Sequence, residues 1–442
     1  MTALLHERVH LTLPDSKRHL PFSFTCPEGA SGLRVEWEFG PPGGGEVRSM
    51  INFSLRGPAG FRGAGHRHGT RHEAVLGEHF ATPGFLPGAI TPGRWEVTLH
   101  THLVAQGTHG ELVVTALNEP PALAPTDPVI PANERTPGAW MMGDLHCHSN
   151  HSDARWTVSE LARAATARGL DFLALTDHNT TSGRAVLGGA APHLLQLPGV
   201  ELTTFYGHAV ALGVEDCPDW TAPELGCGMA ELASDVTQSG GVFTLAHPFA
   251  PGDPICTGCT WTYFDLRPEG AAHLEVWNGP WRGDHNERAL AYWYALLTRG
   301  HRVIATAGTD AHGPNYDPGH GFTFTPRVWD GVALLAQLRA GQTYLSRGAG
   351  LDLEVRSPAG PVPLGSTAPG GRWLARARWS VVPEGSTLIW VADGAREAVS
   401  IEGEGQLRWE GEVRGWLNLE IRTGNGELHT LGNPVFAERC PA

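Results

Sequence analysis

Basic residues are scarce in this chain. Its 442 residues include 32 Lys and Arg against 46 Asp and Glu, which gives a formal net charge of −14 at pH 7. Proteins that bind nucleic acid neutralise phosphates with clustered Lys and Arg side chains, and the sequence has no Lys/Arg-rich run. We therefore do not expect nucleic acid as the main partner, and only a small nucleotide remains open.

A long hydrophobic run is also missing. No apolar stretch reaches the roughly 20 residues that a membrane-spanning helix requires. The segment 1–8 has neither the charged head nor the long apolar core of a signal peptide. From these two absences we expect a cytoplasmic protein without a membrane partner.

Cysteine is present in an odd number, seven, which fits reduced thiols better than a disulfide framework. Cys256 and Cys259 have the spacing of a zinc-ligand pair and could form a structural zinc site with Cys217 and Cys227. The second pair is spaced too widely for a zinc knuckle. Independent thiols and a redox disulfide are the alternatives.

Histidine, by contrast, is abundant, with 23 residues, and many of these stand at the ends of short apolar runs. In the first such segment His146 and His148 follow an apolar run, and Asp153 comes five residues later. Alternate residues of a strand share one face, so the two histidines can bind the same ion. The pattern recurs where other apolar runs end or begin, at Asp177-His178, Glu201, His208, His247 and Asp310-Ala311-His312.

Segments with helical patterns lie between these apolar runs. Thr157 is a candidate cap for one helix that ends at Gly169, and further helices are expected at about 229–239 and 287–299. Short β-type runs that alternate with helices indicate βα units around a parallel sheet, in the form of a barrel. Reactive side chains of such folds gather at the carboxyl ends of the strands, so the repeated pattern predicts a polynuclear metal site.

The region from about residue 140 to 348 resembles the PHP (polymerase and histidinol phosphatase) superfamily of metal-dependent hydrolases. The matching motifs stand in the family's order: Asp144-Leu145-His146-Cys147-His148 with Ser152-Asp153, then Thr176-Asp177-His178, Gly199-Val200-Glu201, His247-Pro248 and Asp310-Ala311-His312. The segment 275–279 and the flanking β-rich regions are most similar to the carbaryl-hydrolase-like branch.

The resemblance implies an α/β fold, a distorted (β/α)7 barrel that carries two or three divalent ions. Carried over residue by residue, the ligands of the first ion would be His146, His148, Glu201 and Asp310, those of the second Glu201, His208 and His247, and those of the third Asp153, His178 and His312.

Imidazole and carboxylate ligands suit Zn²⁺, Mn²⁺ or Fe²⁺. Glu201 can bridge two cations, and with Asp310 it would form the catalytic core. Water between two such ions loses a proton near neutral pH and becomes a hydroxide nucleophile. Asp177, next to His178, is expected to orient an imidazole rather than to bind an ion.

The expected reaction is hydrolysis of a small-molecule phosphate mono- or diester, because three ions match three phosphate oxygens. Arg155, Arg184 and Arg282 could hold the phosphate. Asn278 could contact the substrate, and His285 could donate a proton to the leaving group. A carboxylester or carbamate hydrolase is the alternative enzyme, and a metal-stabilised ligand-binding protein without turnover is the alternative of a different class.

The remaining sequence predicts two smaller all-β domains around the barrel. Residues 1–118 show short alternating runs typical of a β-sandwich, 119–139 form a proline-rich linker, 140–348 the barrel, and 349–442 a second β domain. The segment 66–72, with three histidines, is a possible metal site, but its interleaved Gly and Arg favour a solvated loop.

Overall fold

A computed structural model describes residues 2–43, 47–122, 128–133, 138–223, 227–281, 284–314, 316, 319–348 and 350–438. The N-terminal region consists of eight strands and a 3-10 turn (Leu13–Asp15): β1 (Thr2–Leu11), β2 (His19–Cys26), β3 (Gly32–Gly40), β4 (Met50–Gly57), β5 (Gly60–Gly65), β6 (Arg71–Gly77), β7 (Gly93–Leu103) and β8 (Thr108–Leu117). These strands form two four-stranded antiparallel sheets, in the orders β1-β8-β3-β6 and β2-β7-β4-β5.

The two N-terminal sheets share one apolar core. Leu33 comes from one sheet, Ile51 and Val97 come from the other, and all three are fully buried. Full burial of such a side chain contributes about 1.5–3 kcal/mol, so the alternating pattern of the strands is enough to fix which face of each sheet points inward.

The middle region carries all five α-helices of the described residues. Its elements are β9 (Trp140–Asp144), α1 (Val158–Arg168), β10 (Phe172–Leu173), α2 (Arg184–Ala190), β11 (Leu195–Gln196), β12 (Gly199–Thr203), β13 (His208–Leu212), α3 (Met229–Gln238), β14 (Val242–Leu245), a 3-10 turn (Pro268–Gly270), β15 (His273–Asn278), α4 (His285–Thr298), β16 (Ile304–Gly308), β17 (Phe322–Pro326), α5 (Gly331–Ala340) and β18 (Tyr344–Ser346).

Helix α1 has the ends that the sequence predicts. The Thr157 side chain accepts a hydrogen bond from the backbone N–H of Glu160, and the Glu160 carboxylate accepts one from the backbone N–H of Thr157. Gly169 ends the helix with φ 82°, a left-handed conformation that costs glycine little. The prediction of this helix is confirmed.

The middle region is mixed α/β, but the (β/α)7 barrel expected from the resemblance is not shown. Strands β9, β10 and β11 are parallel, as are β14, β15 and β16, whereas β12 and β13 pair antiparallel. Only residues 204–207 connect β12 to β13, which is too short for the crossover that parallel strands need. The described chain is richer in sheet than a regular βα barrel.

The C-terminal strands continue a sheet of the middle region. They are β19 (Leu351–Ser357), β20 (Gly360–Val362), β21 (Thr367–Pro369), β22 (Gly371–Ala392), β23 (Ala395–Val413), β24 (Trp416–Arg422), β25 (Leu428–Gly432) and β26 (Val435–Glu438). Strand β18 pairs with β25, so one 13-stranded sheet runs from β11 into the C-terminal region. This sheet crosses the domain boundary proposed at residue 348.

The N-terminal region is docked against the middle region by polar contacts. The Thr180 hydroxyl donates to the backbone oxygen of Gly84, and the Arg67 guanidinium donates to the backbone oxygen of Asn150. Lys17 forms an ion pair with Asp253 across the same boundary. Within the described residues, no helix is long and apolar enough to cross a membrane.

Candidate metal centre

Eight of the nine predicted metal ligands lie in or after strands whose ends converge, and the ninth lies in a loop. His146 and His148 follow β9, His178 follows β10, Glu201 lies in β12, His208 begins β13, His247 follows β14, and Asp310 and His312 follow β16, while Asp153 lies in the loop before α1. Two isolated parallel bridges, Cys147–Ala311 and His178–Glu201, tie these strand ends together. The structure therefore brings all nine side chains into one cluster.

Glu201 lies at the centre of the cluster and is fully buried. Its Oε1 is 3.1 Å from His208 Nδ1 and 3.1 Å from His247 Nε2. Its Oε2 is 3.4 Å from the Nε2 atoms of both His146 and His148. Each oxygen thus faces its own group of imidazoles, which is the arrangement that a carboxylate bridging two cations requires.

Two further carboxylates complete the cluster. Asp310 Oδ1 lies 3.0 Å from His148 Nε2 and 3.5 Å from His146 Nε2. Asp153 Oδ1 lies 3.1 Å from His312 Nε2 and 3.4 Å from Nε2 of His178.

Four groups of side chains have ligand atoms within 4.8 Å of one another. These groups are His146, His148 and Asp310; His146, Glu201 and His247; His148, Asp153, His178 and His312; and His208, His247 and Cys259.

Several buried ligand atoms have no hydrogen-bond partner among the described residues. They are His146 Nε2, His148 Nε2, Asp153 Oδ1 and Glu201 Oε2, although each lies 2.7–3.5 Å from an opposing nitrogen or oxygen. Burying an unsatisfied polar or charged group is costly, so such atoms need a partner of another kind. Nitrogen and oxygen atoms that converge without bonding one another fit a divalent cation.

The cluster holds its carboxylates ionised. Burial alone would raise the pKa of Glu201, but the imidazoles of His178, His146 and His208 outweigh it and hold that pKa well below its usual range. Burial, followed by the charges of His178 and His312, lowers the pKa of His148 to about 4. An ionised carboxylate beside a neutral imidazole is the protonation state in which both groups bind a metal.

Other imidazoles of the cluster hold protons in the absence of a cation. Burial would lower the pKa of His146, but the carboxylates of Glu275, Asp310 and Glu201 raise it well above its ordinary value. A cation and these protons therefore compete for the same nitrogens, and binding of metal must release protons.

Glu275 orients the first ligand motif and was not predicted from the sequence. Its Oε1 lies 3.0 Å from His146 Nδ1, and its Oε2 accepts bonds from the His247 backbone N–H and the Asn278 side chain. A carboxylate on the second nitrogen of an imidazole fixes the tautomer that presents the first nitrogen to a metal. The only sequence signal was a carboxylate within an apolar run.

Asp144 and Asp177 hold the backbone around the ligands. Asp144 accepts bonds from the backbone N–H and the hydroxyl of Thr309. Asp177 accepts bonds of 2.7 Å from the Ser149 N–H, the Ser149 hydroxyl and the Ser152 hydroxyl. In the described contacts Asp177 orients the loop after His148, and the prediction that it orients an imidazole is wrong.

The backbone is tight where the ligands meet. His247 has φ 26° and Asp310 has φ 48°, values that residues other than glycine seldom adopt and that cluster at functional sites. At Gly308 a Cβ atom would lie 2.2 Å from the Cβ of His146 and 2.6 Å from Glu275 Oε1. Only glycine therefore fits between these two side chains.

Of the predicted substrate-binding residues that the structure describes, only Asn278 reaches the cluster. Asn278 donates to Asp310 Oδ2 at 3.2 Å. Arg155 is exposed, Arg184 forms an ion pair with Glu215, and neither lines the cavity over the cluster.

Two predicted residues remain without a described contact to the cluster. His285 begins helix α4 and is not among the residues that line the cavity. Arg282 lies outside the described residues. Their proposed roles stay predictions.

The cluster opens into a cavity of about 960 Å³ that the N-terminal region helps to form. The N-terminal residues His66, His68, His102 and Arg48 line it together with ligands such as His312. The His66 ring lies 4.4 Å from the His178 ring, and the Nδ1 atoms of His66 and His102 are buried without a partner in the described chain.

The expectation of a solvated loop at 66–72 is wrong at its ends. His66 is 8% exposed and His72 is 7% exposed. The His66 ring lies against His178 of the middle region, and the His72 ring stacks on Phe39 of the N-terminal region. Contacts between residues so far apart in the chain leave no periodic signal in the sequence.

The cysteine pair at 256 and 259 forms a disulfide, and Cys217 and Cys227 are free thiols. The proposed zinc site of these four residues is not formed. Cys259 instead lies beside the imidazoles of His208 and His247.

Comparison with known proteins agrees with this geometry. Residues 144–261 match the PHP domain. That match supports the PHP superfamily for this part of the chain, which contains seven of the nine clustered ligands, from His146 to His247. The carbaryl-hydrolase-like branch is a finer assignment that remains a proposal.

Similar proteins cover parts of the chain. A 3',5'-nucleoside bisphosphate phosphatase from Chromobacterium violaceum is 38% identical over 95 residues, which are 20% of this chain and 32% of that protein. The match thus spans about a third of that phosphatase. An uncharacterised protein from Methanocaldococcus jannaschii is 27% identical over 157 residues, 31% of this chain and 82% of that protein.

Among solved structures, a two-domain protein from Bacteroides vulgatus that contains a predicted PHP-like metal-dependent phosphoesterase is similar. It has 14% sequence identity and a TM-score of 0.39, with coverage of 70% of this chain and 99% of that one.

Proposed function

We propose that this protein is a metal-dependent phosphoesterase that hydrolyses a phosphate mono- or diester of a small molecule. The observation that carries the proposal is Glu201, whose two carboxylate oxygens face two separate groups of imidazoles beneath an open cavity. The third group, at Asp153, His178 and His312, lines the same cavity.

The donor set points to two or three divalent ions of the Zn²⁺, Mn²⁺ or Fe²⁺ class. When bound, such ions supply a hydroxide nucleophile at neutral pH and neutralise the charge of phosphate oxygens. Glu201 and Asp310 would be the central carboxylates, and Glu275 would keep His146 in the tautomer that presents Nε2.

The side chains around the cluster hold its carboxylates in place and form the wall of the cavity. Asn278 donates to Asp310 and Glu275, so both carboxylates are held before any substrate arrives. Preorganised groups of this kind cost no reorganisation when charge develops in the reaction. His66 and His102 of the N-terminal region are buried and form part of the cavity wall over the cluster.

A small phosphorylated substrate suits the cavity. The cavity has a volume of about 960 Å³, which accommodates a molecule considerably larger than a phosphate group. Arg48 and His68 at the rim offer N–H groups to further anionic or polar groups of the substrate. The name of the similar Chromobacterium violaceum phosphatase also favours a phosphate ester.

The test is a substrate panel on protein of known metal content. The purified protein is stripped with a chelator, reloaded separately with Zn²⁺, Mn²⁺ and Fe²⁺, and given p-nitrophenyl phosphate, bis-p-nitrophenyl phosphate, a p-nitrophenyl carboxylester and an aryl carbamate. We expect cleavage of one or both phosphate esters by the reloaded protein and none by the stripped protein.

The panel also separates the alternatives. Preferential cleavage of the carboxylester or carbamate would make the protein a carbonyl-directed hydrolase. Metal binding without turnover of any of the four substrates would favour a ligand-binding protein.

A further inference from the structure

The connection between β14 and β15 places a sulfur atom at the metal cluster. Cys256 and Cys259 both line the cavity together with the proposed ligands. The Cys259 sulfur lies within 4.8 Å of a ring nitrogen of His208 and of His247. In the described part of the chain, no other cysteine belongs to a group of potential metal ligands.

Backbone contacts hold this loop on the same two imidazoles. His208 Nε2 is 3.2 Å from the Thr257 backbone oxygen, and His247 Nδ1 is 3.3 Å from the Cys259 backbone oxygen. The position of the sulfur is therefore linked to the ligands and not set by an independent surface loop.

Gly258 makes this close approach possible. Its φ is +82°, and a Cβ atom there would lie 2.1 Å from the Thr204 backbone oxygen and 3.1 Å from His208 Nε2. A side chain at this position would push the loop away from the cluster, so the sequence Cys-Thr-Gly-Cys fits a loop built to lie against it.

Cys147 provides a contrast. It lies between two ligands in sequence, but its thiol donates to the Ala174 backbone oxygen and belongs to the buried apolar core. Cys147 is therefore close to the histidines in sequence but is not among the potential metal ligands, whereas the 256–259 loop places the Cys259 sulfur beside them.

We propose that Cys259 is a redox-controlled metal ligand. In the reduced protein its thiolate binds the ion held by His208 and His247. Formation of the disulfide with Cys256 removes this thiolate, so the ion loses one ligand. A thiolate is a strong ligand for Zn²⁺ and Fe²⁺, whereas a disulfide sulfur is uncharged and a poor one. The inference rests on the metal centre of the proposed function but not on hydrolysis.

The disulfide between Cys256 and Cys259 forms by thiol–disulfide exchange with a small organic disulfide such as oxidised glutathione. The Cys259 thiolate attacks one sulfur of that molecule and displaces one small thiolate. The Cys256 thiolate then attacks the Cys259 sulfur and displaces the second. Two electrons pass from the cysteines to the small disulfide, whose two thiolates take up the two protons that the cysteines release, and excess small thiol reverses the exchange.

Two variants of the full chain form a matched pair for the test. Cys259→Ser removes the proposed ligand, Cys256→Ser keeps it, and both lack the disulfide, so the loss of the cross-link is common to the two. Each protein is reduced, freed of metal and titrated with Co²⁺, whose thiolate complexes have a charge-transfer absorption that imidazole and carboxylate complexes lack. Zn²⁺ affinity is measured alongside with a competing chelator.

We expect the absorption in reduced wild-type protein and in Cys256→Ser, and its absence in Cys259→Ser. Treatment of the wild-type protein with oxidised glutathione should abolish it, and reduction should restore it. Zn²⁺ should bind at least about tenfold more weakly to Cys259→Ser than to Cys256→Ser, about 1.4 kcal/mol.

Other results overturn the proposal in distinguishable ways. Co²⁺ bound without the absorption in reduced wild-type protein, or equal spectra of the two variants, would remove Cys259 from the ligands and leave the phosphoesterase proposal intact. A failure of all three proteins to bind Co²⁺ or Zn²⁺ would remove the metal centre and the proposed function as well.

Discussion

Replacement of Glu275 by Gln tests whether the cluster is a metal site with an outer layer of orienting groups. The Glu275 side chain is buried and touches the cluster on both of its oxygens. Oε1 lies 3.0 Å from His146 Nδ1, while Oε2 accepts 2.8 Å and 3.1 Å bonds from the His247 backbone and from Asn278. Glu275→Gln keeps the shape but replaces one acceptor with an NH2 group.

Either orientation of the new amide leaves a donor facing a donor. If the NH2 group faces His146, the imidazole loses the acceptor that fixes its tautomer. If the NH2 group faces the other side, the His247 backbone N–H and the Asn278 side-chain N–H lose their acceptor. Loss of such an orienting contact typically weakens metal binding about 10- to 100-fold, which corresponds to about 1.4–2.8 kcal/mol.

The assay is the Zn²⁺ or Mn²⁺ dissociation constant of Glu275→Gln, measured with a competing chelator at fixed pH. Glu111→Gln, on the exposed side of β8, is the matched control and should leave the constant unchanged. A constant within twofold of the wild-type value, in a variant with unchanged thermal unfolding, would refute the assigned role of Glu275.

Three further outcomes follow from the same geometry. Asp310→Ala should lose metal and phosphoesterase activity while its far-ultraviolet circular dichroism stays that of the wild-type fold, whereas full turnover by the metal-free variant would contradict the assignment. Burial lowers the pKa of His312, but the Asp153 hydrogen bond and the charge of Asp310 raise it overall to about 9, so its contribution to metal-free stability is complete below about pH 6.5 and is lost as the pH rises through 9. Urea unfolding of metal-free protein should show this decline, and His312→Gln should flatten it. Gly308→Ala should destabilise the fold by about 1–3 kcal/mol and reduce metal content, because its Cβ would overlap the His146 side chain, and an unchanged unfolding midpoint would count against that overlap.

The ligands were predictable because each stands in a local pattern. A run of apolar residues fixes a strand, and the strand fixes which end a following His or Asp occupies, as at His247 after β14 and Asp310 after β16. Capping works in the same local way at Thr157 and Gly169. Physical rules that act over three to five residues can be read directly from a sequence.

The orienting residues were not predictable for the opposite reason. Glu275 meets His146 across 129 residues of sequence, and a single buried carboxylate in an apolar run does not indicate its partner. The pairing of β18 with β25 joins strands that are far apart in the sequence, and β12 and β13 pair antiparallel across a short connection. Neither pairing is indicated by a local pattern, so the sequence predicted a regular barrel and the structure has an extended sheet.

The cavity wall shows why the flanking β region matters for the chemistry. A metal cluster on strand ends alone would face solvent, where water competes for every open coordination position. Here His66 and His102 belong to a sandwich that contacts the middle region through the Thr180–Gly84 hydrogen bond, and both side chains line the cavity over the ligands. Their Nδ1 atoms have no hydrogen-bond partner in the part of the chain that the structure describes, and we expect a substrate to lie between the two regions. Specificity should then be encoded mainly by the N-terminal region, while the capacity to bind metal is encoded by the middle region.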